Sequence, residues 1–366
     1  MKTLAIETSC DDTSIAIVNF SDKKFFPSEL LLYSQIDSHN RFWWVVPELA
    51  SRLHEEKIIE LLEKLWLDQL KSVDFISYTC CPGLPWSLLV WKTLANTLSI
   101  MLNKTKIPVY HIYGHIFSIF IDRWIDDIKF PLIVLTVSWW HNEIYLVSKW
   151  NQYKLGNSLL NDYINEFSTS YWIDKSDLVG DVWNFKLFKL WFTLDDAAWE
   201  VFDKVSKMLW WPYPGGKRIY EKSILNKKNT HKINDIYFPR IRLKKNEFNF
   251  SFSWLKAQVN YKIQNLKNKY WENLPEDIIS LIAYEFQQAV IETLWTKLLK
   301  AWKYFWIKNV ALVWWVSSNK KLISFIYENK DKYWIENFYF PSKNIYSTDN
   351  AAMIWVAGIM DYINKF

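Results

Sequence analysis

The sequence predicts an α/β protein made of two related halves, and three observations lead to this fold class. Strand and helix patterns alternate along most of the chain, which is typical of sheets covered by helices. Residues 4–18 and 133–147 repeat one plan: an apolar strand, a short polar loop and a second apolar strand. A chain of 366 residues is also long enough for two domains. We therefore expect an internal duplication.

The first half is predicted to form a domain of residues 1–130. A helix is expected from Pro47, because proline suits the first helical position and apolar side chains follow on one face. A turn at Cys81-Pro82-Gly83 leads into a second helix that ends near Leu102. The strands predicted in this half are 4–7, 15–18, 30–36, 73–78 and 107–111.

The second half is predicted to form a domain of residues 131–366. Two aspartates open the helix predicted at 195–209, where the helix dipole favours them. A long helix at 276–304 and a terminal helix at 349–366 follow from the apolar periodicity. The strands predicted in this half are 133–137, 144–147 and 310–313.

The composition predicts a soluble protein of the cytoplasm with no membrane partner. No run of eighteen apolar residues occurs, and Glu7 comes too early for a signal peptide. Three cysteines, at 10, 80 and 81, fit neither a disulfide framework nor a zinc site, which suits a reducing compartment. The net charge of +5 tolerates a polyanion partner without requiring one.

Tryptophan and glycine occur in unusual proportions. The chain has 24 Trp and 7 Gly, whereas a usual share of about 7% predicts about 26 glycines. Four Trp-Trp pairs, at 43–44, 139–140, 210–211 and 314–315, lie beside turn signals, where backbone geometry favours glycine. We hypothesise that many of these tryptophans are glycines in the native protein, from a genome that reads the UGA codon as glycine. The alternative is a truly tryptophan-rich protein.

The stretch His111-Ile112-Tyr113-Gly114-His115 follows a predicted strand and opens an apolar stretch, 116–124, that predicts a helix. Two histidines four residues apart on a helix point the same way. They could bind one divalent metal and leave positions for a distant ligand and a substrate. The spacing alone does not distinguish a metal site from capped or core histidines.

Ten motifs run nearly from end to end, among them Ile6-Glu7-Thr8-Ser9-Cys10-Asp11-Asp12-Thr13, Tyr213-Pro214-Gly215-Gly216 and Ser347-Thr348-Asp349-Asn350. Together they resemble the TsaD family of tRNA adenosine threonylcarbamoyltransferases. In the five motifs that contain tryptophan, the family has glycine where this chain has tryptophan. The other motifs are at 42–52, 111–115, 137–141, 194–200, 202–204, 250–256 and 314–319.

The resemblance implies the actin-like ATPase (ASKHA) fold, in which two duplicated RNase H-like α/β halves surround a central cleft. The two polar loops of the repeated strand pairs would then be phosphate loops, provided that Trp139 and Trp140 are glycines whose backbone N–H groups face the phosphates. Residues 149–183 have no counterpart in the family hairpin and are expected to be a surface insert.

The resemblance also implies the third metal ligand, Asp349, beside His111 and His115. The site would hold one divalent metal, Fe(II) or Zn(II). Two histidines and one carboxylate leave coordination positions open for a substrate oxygen, so that the metal can serve as Lewis acid and template. Asp349 alone could instead cap the helix that follows it.

The implied reaction moves a threonylcarbamoyl group from threonylcarbamoyl-adenylate to N6 of adenosine 37, just 3′ of the anticodon, in tRNAs that read codons beginning with adenine. AMP is released, and TsaB-like and TsaE-like proteins are the implied partners. The loop formed by Thr136, Val137, Ser138, Trp139 and Trp140 is expected along the phosphate and carbamoyl groups. The residues expected on the ribose, adenosine and base are Asp203, Gly216 and Asn319.

Asp11 and Asp12 lie in the first polar loop, close to where the acceptor amine must arrive. We hypothesise that Asp11 accepts the N6 proton or orients the amine, while Asp12 stands where the family usually has glutamate and therefore has a shorter reach. Two other classes stay open. A metallopeptidase is one, although the histidine pair lacks the zinc-protease glutamate; a non-catalytic partner, with genuine indoles filling the cleft, is the other.

Overall fold

A computed structural model describes residues 1–138, 141–149, 158–171, 173–182, 184–225, 236–240, 249–270 and 274–365. The chain divides into two compact units. Unit 1 comprises Met1–Thr136, Tyr145–Leu190 and Ile307–Phe366, and unit 2 comprises Val137–Ile144 and Trp191–Trp306.

A five-stranded sheet is formed by the first strand pair and the strands that follow it. Its strands are β1 Lys2–Glu7, β2 Asp12–Ser21, β3 Lys24–Ser34, β4 Phe75–Cys81 and β5 Thr105–Tyr110, in the order β3-β2-β1-β4-β5. β1, β2 and β3 are antiparallel, whereas β4 and β5 run parallel to β1. The loop after β1 and the chain after β5 therefore leave the sheet at the same edge.

A six-stranded sheet repeats this plan. Its strands are β6 Leu132–Val137, β7 Asn142–Lys149, β8 Val179–Val182, β9 Phe185–Trp191, β10 Asn309–Val313 and β11 Asn337–Tyr339. Their order is β11-β10-β6-β7-β9-β8, with β10 parallel to both neighbours. Without the edge strand β8, the order β9-β7-β6-β10-β11 matches β3-β2-β1-β4-β5. The predicted α/β duplication is confirmed.

Thirteen α-helices are seen among the described residues. They are α1 Ile36–Asn40, α2 Pro47–Glu63, α3 Leu67–Lys71, α4 Pro85–Leu102, α5 His111–Phe117, α6 Ser158–Tyr171, α7 Lys175–Leu178, α8 Ala198–Met208, α9 Gly215–Leu225, α10 Ser253–Lys269, α11 Glu276–Phe305, α12 Lys320–Asn329 and α13 Ala351–Lys365. α13 packs against β1, β4 and β5, and a Cβ at Gly358 would lie 2.7 Å from the Cβ of Ser77. Glycine therefore lets this helix approach the sheet closely.

Two predicted helices differ from the structure. The helix predicted at 116–124 is wrong: α5 begins at His111, where the pairing of β5 stops, and ends where the Ser118 hydroxyl donates to the His115 carbonyl at 2.7 Å. The helix predicted at 195–209 begins three residues later. Asp195 stays outside it because its carboxylate accepts the backbone N–H of Phe252 at 2.8 Å. Both differences arise from contacts between residues distant in the sequence or beyond the helix end.

The stretch predicted as a surface insert contains packed elements. On α6, Leu160, Tyr163 and Ile164 are buried, and the Tyr163 hydroxyl donates to the Leu190 carbonyl at 2.6 Å. β8 pairs antiparallel with β9 at the sheet edge. This part of the stretch extends the second sheet and covers it.

Tryptophans occupy backbone positions that favour glycine. Among the described residues, nine non-glycine residues have positive φ, and five of these are tryptophans. A positive φ is uncommon outside glycine and is a true outlier for a bulky side chain. In every Trp-Trp pair within the described ranges, the first tryptophan has a positive φ. The pair Trp139-Trp140 lies outside these ranges. The five are Trp43 (65°), Trp210 (61°), Trp306 (55°), Trp314 (72°) and Trp334 (51°).

Trp306 ends α11 in the left-handed conformation that glycine usually supplies after a helix. Its side chain is 68% exposed, so Trp306→Gly removes the left-handed strain while losing little buried area. We expect the free energy of unfolding to rise by about 1 kcal/mol, measured by urea denaturation.

The matched control is Trp66, which is 78% exposed but has φ −68°. Trp66→Gly at the N-cap of α3 relieves no strain, so it should not raise the free energy of unfolding. A shift of the same sign and size in both variants would contradict backbone strain as the cause.

Across the described ranges, no helix combines the length and apolar character that are needed to cross a membrane.

Candidate functional site

A buried cluster of two imidazoles and one carboxylate lies in unit 1. His111 and His115 stand one turn apart on α5, with their Nε2 atoms 3.2 Å apart. Asp349 Oδ1 lies 3.0 Å from His115 Nε2 and 3.6 Å from His111 Nε2. Ligand atoms about 2.1 Å from one metal lie about 3.0–3.4 Å apart at ordinary coordination angles. The spacing and the donor set therefore fit a divalent metal, and this group could hold one.

Two local features bring these side chains together. The chain leaves β5 at Tyr110 and begins α5 at once, so both histidines lie at the edge of the sheet where β1 and β4 also end. Asn350 Oδ1 accepts the backbone N–H of Met353 at 3.1 Å and thus caps α13. Asp349 as the helix cap, the alternative for this residue, is wrong. Its carboxylate faces the histidines instead.

The electrostatics of the cluster favour a cation. Burial raises the pKa of Asp349 to about 6, and the nearby Glu7 carboxylate adds to this effect. Burial and the positive charge of His111 lower the pKa of His115 well below its usual value. Burial also opposes protonation of His111, but Glu7 and Asp349 outweigh it and raise that pKa. A bound divalent cation would compensate the two carboxylates directly.

Glu7, at the end of β1, was not expected as a site residue. It is fully buried, and its Oε2 lies 3.2 Å from Nδ1 of His111. Ser9 N donates to Oε1 at 2.5 Å, and the Thr79 hydroxyl donates to Oε2. Burial raises the pKa of Glu7, but His111 and these hydrogen bonds lower it to about 2. The sequence contained one indication of this role, because Glu7 is a carboxylate at the end of an apolar strand. It did not indicate that His111 is the partner.

Asp11 and Asp12 lie where β2 begins. Asp11 is partly buried, and burial together with the Asp349 charge raises its pKa to about 6. Asp12 is buried, and its Oδ1 accepts no hydrogen bond from the described residues. Burial, with the charges of Asp11 and Asp349, raises the pKa of Asp12 well above its usual value. The two predicted catalytic carboxyls are thus electrostatically coupled to the candidate metal ligand.

A chain of buried polar groups supports the Asp11 loop. His54 Nε2 donates to the carbonyl of Cys10 at 3.0 Å, and its Nδ1 accepts from the hydroxyl of Thr13 at 2.8 Å and from Gln35 Nε2 at 3.1 Å. Gln35 Oε1 in turn accepts from His39 Nε2 at 3.1 Å. Burial lowers the pKa of His54 to about 4, so the ring is neutral at neutral pH. No pattern in the sequence indicated this network.

Trp314 covers the histidine pair. Its indole stacks on the His115 ring with centroids 3.8 Å apart and an interplanar angle of 17°, and it meets the His111 ring edge-on. The indole N–H is buried, and the Trp314 side chain interacts with Asp349 as a hydrogen-bond donor, which opposes the rise in the pKa of that carboxyl. Trp314 also has a positive φ, which is unfavourable for a bulky residue at the candidate metal site.

In unit 2, the structure joins Asp203 to the glycine turn. Asp203 on α8 accepts the backbone N–H of Gly215 at 2.6 Å. A Cβ at the neighbouring Gly216 would lie 2.4 Å from the Trp199 ring, so the two are in close contact. Asp203 and Gly216 are two of the residues expected on the adenosine side of the substrate.

The hairpin loop after β6 also lies in unit 2 from Val137 onward. Ser138 Oγ accepts the N–H of His141 at 2.9 Å, which closes a tight turn. Asn142 Oδ1 accepts the N–H of Ala198 at 3.3 Å and links this hairpin to the start of α8. Trp139 and Trp140 lie outside the described residues.

The last two predicted substrate residues belong to unit 1. Thr136 is buried near the end of β6, where it pairs with Val313 of β10. Asn319 caps α12: its Oδ1 accepts the backbone N–H groups of Lys321 at 3.0 Å and Leu322 at 3.2 Å.

The duplicated sheets and the buried group of two histidines and one carboxylate define the class: an actin-like α/β protein with a candidate metal centre. Solved structures agree on the fold. HypF from T. kodakarensis matches with a TM-score of 0.55 at 14% identity, and a full-length HypF bound to phosphate and nucleotide matches at 0.52 and 12%. Each match covers the whole chain but only 48% and 46% of the HypF chains, so the chain spans about half their length.

Sequence comparison identifies the family. A profile described as TsaD, tRNA N6-adenosine threonylcarbamoyltransferase, matches residues 29–170 and 184–356. Relatives of that name are 37% identical in Kosmotoga olearia, over 97% of this chain and 91% of theirs, and 34% identical in Francisella philomiragia, over 100% and 96%. The chain belongs to the TsaD family of tRNA N6-adenosine threonylcarbamoyltransferases.

The matched ranges also correct one expectation. Residues 149–183 were expected to have no family counterpart, but the match continues through residue 170 and resumes at 184. Within residues 149–183, only 171–183 fall outside the match.

Proposed function

We propose that this chain transfers a threonylcarbamoyl group from threonylcarbamoyl-adenylate to N6 of adenosine 37 in tRNAs that read codons beginning with adenine. The observation that carries this proposal is the match to TsaD relatives along nearly the whole chain. Family membership does not favour the two alternatives, a metallopeptidase or a non-catalytic partner.

The proposed reaction is acyl transfer. The N6 amine attacks the carbamoyl carbon, the bond from that carbon to the phosphate oxygen breaks, and AMP leaves with the bonding electrons. The amine must lose one proton. Asp11 is suited to accept it, since a pKa raised to about 6 leaves the carboxylate ionised at neutral pH while strengthening it as a base. Asp12 is the second proposed catalytic carboxyl; it stands where the family usually has glutamate and therefore has a shorter reach.

The metal proposed for His111, His115 and Asp349 is one Fe(II), with Zn(II) as the alternative. When bound, it would supply a Lewis acid and an orienting charge for a substrate oxygen. The chain's own contribution is to hold three ligand atoms at metal-binding distance in a buried site.

The remaining proposed contacts follow the family motifs. We assign Thr136, Val137, Ser138, Trp139 and Trp140 to the phosphate and carbamoyl groups, where backbone N–H donors would stabilise developing negative charge. The group assigned to the ribose, adenosine and base is Asp203, Gly216 and Asn319. Asp203 and the glycine turn are already joined by a hydrogen bond, which supports a common role.

We also propose that many tryptophans of the printed sequence are glycines in the native protein. The positive φ angles at five of them support this. Peptide mass spectrometry on protein from the native organism tests it directly. Indole masses at these positions would overturn it.

Four further assignments complete the proposal. TsaB-like and TsaE-like proteins are the partners, and the cytoplasm, where tRNA is modified, is the compartment. The functional halves are 1–130, which contains the five-stranded sheet, and 131–366, which contains the six-stranded sheet.

The test supplies threonylcarbamoyl-adenylate labelled in its threonine to the chain, its partners and tRNA. We expect label on the tRNA, recovered by nucleoside analysis as modified adenosine, with one AMP released per label transferred. The matched control is the same tRNA with guanosine at position 37, which offers no N6 amine. Equal labelling of both tRNAs, or AMP release at the same rate with and without tRNA, would overturn the proposal.

A further inference from the structure

A buried carboxylate lies directly behind one of the two candidate metal-binding histidines. Glu7 ends β1 and is fully buried, and its Oε2 lies 3.2 Å from Nδ1 of His111. On the other side of the same ring, Nε2 faces His115 Nε2 and Asp349 Oδ1. The carboxylate and the candidate metal position are thus on opposite nitrogens of one imidazole.

The carboxylate is itself held from two directions. The backbone N–H of Ser9, in the loop after β1, donates to Oε1 at 2.5 Å, and the hydroxyl of Thr79 on β4 donates to Oε2. Ser9 and Thr79 are both buried. A carboxylate fixed by two such donors cannot turn away from His111 without breaking them, so its position is set by the sheet.

This arrangement selects one tautomer of His111. An ionised carboxylate only accepts hydrogen bonds, so Nδ1 carries the proton, and the Ser9 hydroxyl, which also lies 3.2 Å from Nδ1, can share this proton as a second acceptor. A neutral imidazole has a single N–H, and the lone pair of Nε2 is therefore left for a metal. His115 differs, because its Nδ1 is buried with no hydrogen-bond partner among the described residues.

We propose that Glu7 is a positioning residue of the metal site: by accepting the Nδ1–H of His111, it fixes the tautomer and ring direction that present Nε2 to the metal. The inference rests on the metal site proposed above and adds a residue to it. Hydrogen-bonded carboxylates of this kind orient metal-binding histidines and raise their basicity, and their loss typically weakens metal binding by roughly 10–100-fold.

The test measures Zn(II) affinity by competition with a chromophoric chelator, on full-length chains. Glu7→Gln keeps the shape but removes the charge, and we expect roughly 10–100-fold weaker binding. Thr79→Val removes one of the two donors that hold the carboxylate, and we expect a loss of roughly threefold or more. Circular dichroism of the metal-free proteins verifies folding.

Thr3→Val is the matched control. Thr3 lies on β1, the strand that ends with Glu7, and is as buried as Glu7 and Thr79. Its hydroxyl has no hydrogen-bond partner among the described residues. Its zinc affinity should equal that of the parent chain. A second readout uses Co(II), whose visible spectrum reports ligand geometry and should change in Glu7→Gln but not in Thr3→Val.

The outcomes separate two failures. If the parent chain binds no zinc, the proposed metal site fails. If the parent binds zinc and both Glu7→Gln and Thr79→Val bind it within twofold of the parent, the metal site stands and Glu7 is only a structural carboxylate. Should Glu7→Gln not fold, Thr79→Val decides by the same criterion.

Discussion

Trp314→Gly is expected to raise the yield of modified tRNA roughly 100-fold over the printed chain. The indole stacks on His115 with centroids 3.8 Å apart and touches His111 edge-on. The indole thus fills space against both imidazoles, and we expect it to hinder a substrate oxygen that approaches a metal bound there. Misplacing reacting groups by about 1 Å can cost a factor of about 100, and an indole displaces a substrate further than that.

The same substitution removes a positive φ of 72° at a bulky residue. It also empties the space that the ring fills, so stability can move either way. Activity per folded molecule is therefore the quantity to compare, with the folded fraction taken from circular dichroism.

Trp91→Gly provides the matched control. Trp91 is another buried tryptophan. It lies on α4 in the apolar cluster that includes Leu4 and Ile58, not against the histidines. Trp91→Gly should leave the modification rate per folded molecule unchanged. A printed chain that already modifies tRNA as fast as Trp314→Gly would contradict the prediction.

The sequence predicted most of the fold because its signals are local. The repeated strand pairs and the alternation of strands and helices sufficed for both sheets. Pro47 marked the start of α2, and it is the first residue of that helix in the structure. Helix ends were less predictable, since Asp195 is withdrawn from α8 by the backbone of Phe252, a contact that no local pattern contains.

The candidate site was predicted as far as family motifs and helical spacing reach. The spacing of His111 and His115 placed both imidazoles on one face, and the motif supplied Asp349. Glu7 and His54 were missed because each gains its role from a partner far along the chain: His111 for one, the Cys10 carbonyl for the other. Such pairs become visible only when the sheet and helices are assembled.

The second large effect is expected from His111→Ala, which should abolish both metal binding and tRNA modification. The variant loses one of three ligands and leaves the buried carboxylates of Glu7 and Asp349 without the imidazole between them. We expect zinc affinity to fall by more than the roughly 100-fold that marks the upper range for residues that only support a ligand. Chelator competition and the labelled tRNA assay provide the measurements.

Metal removal should mimic the variant reversibly. Dialysis of the parent chain against a chelator should stop modification, and added Fe(II) or Zn(II) should restore it, whereas no metal should restore His111→Ala. His39→Gln is the control, because His39 is equally buried but contacts Gln35 and the N–H of Val46, not the metal group. It should bind zinc as the parent does.

Because the ligands are deprotonated when a metal binds, zinc affinity of the parent should also fall as the pH is lowered. Full activity of His111→Ala in chelator-treated solution would remove the metal from the reaction.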